Sequence, residues 1–273
     1  MKKYVRIAAA LAALSLPIIP AYASPSYGGD IVTEYTKIAG VPGIVEGTLR
    51  LRFDDTITDN LYIHARAKAH AINNKAFDSI DRSLFDQAYA GYKNGGLDIR
   101  AGKQPLYLGH GLLADLNAAG VQASLTSGGY KLLGFYSAKV QAADATVTIG
   151  ETSVGATYKK QGASTWGAHF NTPIDKSVSL GAEYVANTDN KRHGYIAALT
   201  SGYYSLSYRN IQNGAINPEW ATNYHYADSK GFRIRADYKV SAHSILTIYQ
   251  DLAKNNAGTG DQNITYIGYA TYY

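Results

Sequence analysis

Apolar and polar side chains alternate with a period of two along most of this chain, and that period restricts what it can fold into. Between Thr48 and Asp54, Leu49, Leu51 and Phe53 fall on one side while Arg50, Arg52 and Asp54 fall on the other. Successive side chains of an extended strand point to opposite faces, so this segment reads as a strand with one apolar and one charged face. From Leu61 to Ala71, Leu61, Ile63, Ala65, Ala67, Ala69 and Ala71 oppose Tyr62, His64, Arg66, Lys68 and His70. From Gly231 to Val240, Phe232, Ile234, Ala236, Tyr238 and Val240 oppose Arg233, Arg235, Asp237 and Lys239. Fainter copies run through Trp166–Phe170, with Gly167 and His169 on the polar side, and through Val178–Ala186, with Leu180, Ala182 and Tyr184 on the apolar side.

Short turn signals separate these runs: Thr58–Asn60, Asn94–Gly96, Ser127–Gly129 and Ser201–Gly202. They predict antiparallel hairpins. Sixteen candidate strands follow, from 30–39 to 263–273. The runs at 142–150 and 30–39 carry the faintest pattern, and without them fourteen remain. No helix of useful length is expected; residues 109–116 have room for at most two turns inside a loop. There is no linker or composition break, so residues 24–273 read as one domain.

The first 23 residues differ in kind. Lys2, Lys3 and Arg6 precede an apolar, Ala-rich stretch, and Ala21-Tyr22-Ala23 is a small-x-small site. This is the pattern of a cleavable secretory signal peptide. Its removal takes three of the 26 basic residues and leaves 23 against 21 acidic ones. So slight a surplus argues against a nucleic-acid partner. The absence of cysteine excludes a disulfide scaffold, a thiolate metal site and a cysteine nucleophile.

An exported chain of many two-faced strands has two solutions, and they differ in which face is dry. A soluble barrel hides its apolar side; a membrane barrel turns that side to lipid and its polar side to a wet lumen. In hydrocarbon an unpaired backbone group costs several kcal/mol, so such a sheet must close on itself. Three features favour the membrane solution. The polar faces are densely charged. The apolar faces are built from Ala, Leu and Tyr rather than bulky core formers. Among the 24 tyrosines, Tyr62, Tyr92, Tyr107, Tyr130, Tyr136, Tyr158, Tyr184, Tyr203, Tyr204 and Tyr249 recur near strand ends, as in the aromatic girdles of membrane barrels. The expectation is an all-β, closed antiparallel transmembrane barrel of 16 strands, with 14 as the alternative.

Several segments carry a family resemblance. Leu97–Tyr107 followed by Gly109–Asp115 resembles the strand and following third loop of Gram-negative general porins. Leu49–Lys68, with the turn from Asp54 to Asn60, resembles the second and third strands of that family, and Phe85–Gly91 resembles the fourth. The segment Asn263–Tyr273, with Ile267, Tyr269 and Tyr273 in alternation, is similar to the C-terminal strand that barrel-assembly machinery recognises. The resemblance implies an outer-membrane location, a loop at 106–117 folded into the pore with His110 and Asp115 as constriction candidates, and association as a homotrimer. This loop is much shorter than a general porin's, and Ile211–Lys230 is the one connection long enough for a lid.

With the polar faces turned inward, the wall is predominantly basic. Arg50, Arg52, Arg66, Lys68, Arg100, Arg209, Arg233, Arg235 and Lys239 stand against Asp54, Asp98, Glu183 and Asp237, nine to four, with His64 and His70 beside them. Basic linings favour anions. The expected function is passive diffusion of small hydrophilic solutes and ions with a mild anion preference. A channel specific for acidic oligosaccharides is the alternative; an outer-membrane enzyme is a third, although no Ser–His or acid–His constellation suggests a catalytic centre. No metal or cofactor is expected, because His64, His70 and His169 read as neutral groups in a wet wall.

Overall fold

A computed structural model describes residues 25–72, 85–221 and 227–273; the signal-peptide reading therefore lies outside the described residues. Sixteen strands follow in chain order: β1 (Ser26–Ile38), β2 (Ile44–Thr56), β3 (Leu61–Ile72), β4 (Phe85–Asn94), β5 (Leu97–Leu108), β6 (Ala114–Ser127), β7 (Tyr130–Tyr136) and β8 (Gln141–Ile149), then β9 (Thr152–Gln161), β10 (Ala163–Pro173), β11 (Val178–Asn187), β12 (Arg192–Ser201), β13 (Tyr204–Ile211), β14 (Ser229–Ser241), β15 (Ser244–Lys254) and β16 (Ile264–Tyr272). Each pairs antiparallel with its sequence neighbours, and β1 pairs with β16 from Asp30↔Tyr272 to Ile38↔Ile264, which closes the barrel. Both faint runs are strands, β1 and β8, so the count is 16 and not 14.

The two faces divide as the alternation requires. Leu49, Leu51, Phe232, Ile234 and Tyr238 are exposed on the outer surface, Leu51 by 51 % and Ile234 by 56 %. Arg50, Arg66, Lys68, Arg233 and Arg235 share the opposite, inner face, where Arg50, Arg66 and Arg233 meet carboxylates of neighbouring strands. Tyr158 and Trp166 pack in a tilted pair on the outside with ring centroids 4.6 Å apart. Not every tyrosine joins this outer set: Tyr62 and Tyr249 follow the inner register, opposite Gly91 and Arg235.

Connections differ sharply between the two ends of the barrel. Turns at 57–60, 95–96, 128–129, 150–151, 174–177, 202–203 and 242–243 span two to four residues. The opposite end carries the connections 39–43, 73–84, 212–228 and 255–263 along with shorter ones.

The segment expected to be a loop at 106–117 is instead largely strand. Pairing of β5 with β4 stops at Ala88↔Lys103, and pairing of β6 with β7 stops at Val121↔Tyr136, yet β5 and β6 stay paired to Leu108↔Ala114. Residues 104–108 and 114–120 thus form a two-stranded arm that leaves the wall, joined by a five-residue tip, 109–113, without a helix. Extended pairing satisfies the backbone of a projecting segment that a short loop would leave unpaired. Glycine permits the bend: Gly102 and Gly120 face each other in register where the arm departs. Gly102 has φ 135°, and a Cβ on Gly120 would lie 2.6 Å from the Phe135 ring.

Candidate functional site

The arm turns into the lumen, and named inner-wall groups hold its tip. Glu183, on the inner face of β11 and 1 % exposed, accepts through Oε2 the backbone N–H groups of His110 (3.1 Å) and Leu112 (3.0 Å). Asp144 on β8 accepts the Gly109 N–H at 3.3 Å and the Thr157 hydroxyl at 2.7 Å, and His169 lies 3.1 Å from the same oxygen. Lys159 on β9 donates to the Leu113 carbonyl at 2.8 Å, and its ammonium lies 5.1 Å from the centre of the Trp220 ring. His110 packs its imidazole 5.5 Å from that of His169 and meets the Phe170 carbonyl at 3.0 Å. A turn with few internal bonds is thereby fixed at four strands, β8 to β11.

Apolar contacts back these polar tethers. Leu106, Leu108, Leu112, Leu113 and Ala114 pack with Phe135, Val140, Ala142, Val185, Ile211, Ala215 and Ile216 in one buried cluster. Its wall members on the strands occupy inner-face positions of β7, β8, β11 and β13, so this sector of the lumen is filled. Residues 212–221 cover the arm from above: the Asp115 N–H donates to the Trp220 carbonyl at 2.6 Å. At the arm's base Asn117 joins Gln87 (2.9 Å) and Asp86 (3.4 Å) on β4.

The inner faces of the strands away from the tip carry the ion pairs of the wall. Arg50 pairs across strands with Asp30 at 2.9 Å, and Arg66 makes a two-point contact with Asp86 at 2.9 and 2.6 Å. Arg52, Arg100 and Arg235 pair with Asp54, Asp98 and Asp237, two residues away on their own strands. Arg209 and Arg233 share the fully buried Asp251. His64 sits between Asp54 (2.5 Å) and Gln87 (2.8 Å), and His70 lies 3.4 Å from Glu46. Among the described residues no group of His, Asp and Glu is arranged to hold a metal.

All thirteen wall residues singled out by their alternation lie on the inner face: Arg50, Arg52, His64, Arg66, Lys68, His70, Arg100, Glu183, Arg209, Arg233, Arg235, Asp237 and Lys239. The bonds of Glu183 go to the arm. The predominance of nine bases over four acids shrinks, since Asp30, Glu34, Glu46, Asp86, Asp144 and Asp251 are also inward, as are Lys93, Lys131, Lys159 and Arg192. The described strands then hold thirteen bases and ten acids on this face. Asp86 escaped the alternation because β4 bulges: Arg66 pairs with Gln87 and Ala67 with Phe85, which leaves Asp86 as an extra inward residue. Of the two arm candidates, Asp115 and its cross-strand neighbour Tyr107 are on the face away from the apolar cluster and exposed, Tyr107 by 52 %. His110 is turned into the β10–β11 wall.

No family model and no curated protein matches this chain. Solved structures do share its fold. A triple mutant of the Rhodopseudomonas blastica porin superposes with a TM-score of 0.68 at 11 % identity, covering 92 % of this chain and 100 % of that one. A second mutant of that porin, likewise altered at three positions, gives the same values. A protein described under asymmetric conductivity of engineered proteins gives a TM-score of 0.67 with the same identity and coverage. The architecture of this chain is therefore that of a 16-strand porin barrel.

Proposed function

We propose that this protein is an outer-membrane porin that lets small hydrophilic solutes and ions diffuse through the sector of its lumen bounded by β14–β16 and β1–β4. The observation that carries this reading is the arm at 104–120: a hairpin folded into a closed barrel, tethered on one side, with a charged, solvent-accessible wall left on the other. An apolar outer band suits lipid, and backbone pairing around the whole circumference suits hydrocarbon. The porin architecture of the solved neighbours supports the same conclusion. Short turns mark the periplasmic end and long connections the extracellular end, as in bacterial barrels generally. We further take residues 1–23 as the export signal, the C-terminal strand as the element read by the assembly machinery, and a trimer of barrels as the assembly.

A mild anion preference is part of this proposal. Seven lumen arginines pair with six neighbouring carboxylates, so a strong fixed field is not expected. The inner face nevertheless retains a surplus of bases, and Lys68, opposite Arg50, has no carboxylate partner among the described residues. The test is the reversal potential of the refolded protein in a planar bilayer across a KCl gradient. A modest chloride-directed potential is expected. A potassium-directed potential overturns the polarity, and the lack of any conductance overturns the porin.

A further inference from the structure

The outward faces of the strands carry almost no charge, and what they carry is segregated by sign. Among the described strands the outward basic side chains are Lys37, Lys103, Lys160, Lys230 and Lys254, all near the long-connection end; the outward carboxylate is Asp55, at the short-turn end. Two of these lysines are placed unfavourably for an isolated barrel. Lys230 and Lys254 are directly opposite each other across β14 and β15, both exposed. Like charges in that position repel. Asp228 and Asp261 are nearby, but Asp228 is bound by the Asn256 amide at 3.1 Å, and among the described residues neither lysine forms an ion pair. The pair itself lines an outer groove of about 590 Å³, with Tyr208, Phe232 and Leu252 on its apolar side and connection residues 255–258, Asp261 and Asn263 at its long-connection end. Tyr208 and Phe232 pack with centroids 4.9 Å apart.

We propose that this groove is a binding site for a lipid with a phosphomonoester headgroup, its phosphate held between Lys230 and Lys254 and an acyl chain laid against Tyr208, Phe232 and Leu252. The site rests on the membrane reading above. The charges are complementary: two ammonium groups match a phosphomonoester, which bears up to two negative charges and three strong acceptor oxygens. The depths are complementary too, because lysines at the end of an apolar band extend their alkyl stems along it and leave the charge at headgroup level. The ligand relieves the repulsion between the two ammonium groups. The remaining outward lysines extend the same preference around the long-connection rim.

Native mass spectrometry of the full-length folded chain in neutral detergent tests the site, with dioleoyl phosphatidic acid, dioleoyl phosphatidylcholine and inorganic phosphate as separate probes. Phosphatidic acid is expected to be retained far better than either of the others, since one lacks the monoester and the other the chains. The double variant Lys230→Gln/Lys254→Gln is expected to weaken phosphatidic acid retention about thirtyfold. Lys160→Gln, five strands from β14, leaves the tight site intact. Equal retention of both lipids, equal binding of free phosphate, or an unchanged double variant that still folds by circular dichroism each overturns the proposal, as does a second copy of the chain held in place of lipid. Bilayer conductance of the same sample reports separately on the porin reading: a conducting barrel with no lipid preference removes only this site, and a non-conducting one removes the premise.

Discussion

Glu183 has the most demanding position of any single side chain. Its carboxylate is buried, two backbone N–H groups of the tip depend on its Oε2, and its Oε1 has no hydrogen-bond partner. Truncation leaves both donors buried without an acceptor, which costs on the order of 1–3 kcal/mol for each unsatisfied group. Glu183→Ala is therefore expected to lower the thermal transition of the refolded barrel and to give a larger, noisier single-channel conductance. Glu183→Gln keeps an acceptor oxygen and should stay near the parent in both. Unchanged conductance in Glu183→Ala would show that the tip does not depend on this tether. Alternation alone put Glu183 on the inner face and counted it among the acids of the wall. The actual partner, a backbone turn more than 70 positions earlier in sequence, left no mark in the local pattern.

Among the elements the arm is the one that shapes the lumen, and its register suggests a clean excision. Gln104 and Ala118 are directly paired, so residues 105–117 can be replaced by Asn-Gly to give a two-residue hairpin turn of the favoured kind. With the arm and its plug gone, the conductance should rise several-fold and larger neutral polymers should enter. Polymer-exclusion measurements check both, and an unchanged cutoff would mean that the arm does not set the passage. Most of the barrel was legible in the sequence, because each strand meets two different solvents and its period of two reports on both. The arm was less so, since extended pairing persists where a loop was expected. A sign was nonetheless present. In β5 the inward parity carries Asp98 and Arg100, then switches to Leu106 and Leu108; Phe135, Val185, Ile196 and Ile211 occupy inward positions on β7, β11, β12 and β13. Apolar residues on the polar parity of several strands mark a part of the lumen that is filled. The extra inward Asp86 is harder to find, since a bulge breaks the count on which the reading depends.

For the molecule as a whole, the unequal ends make orientation testable. Short turns form readily without external help, while longer connections of the kind seen at 212–228 and 255–263 are tolerated where there is aqueous space on the outer side of the membrane. The outward lysines stand at that same end, where the proposed lipid headgroup would bind. Since the chain has no cysteine of its own, one introduced thiol reports one location. Ala257→Cys, exposed in the connection between β15 and β16, should react with a membrane-impermeant maleimide on intact cells. Lys176→Cys, exposed in the turn between β10 and β11, should react only after the outer membrane is permeabilised. The opposite pattern would invert the barrel, place the lysine rim at the inner leaflet, and reverse the direction from which solutes first meet the arm.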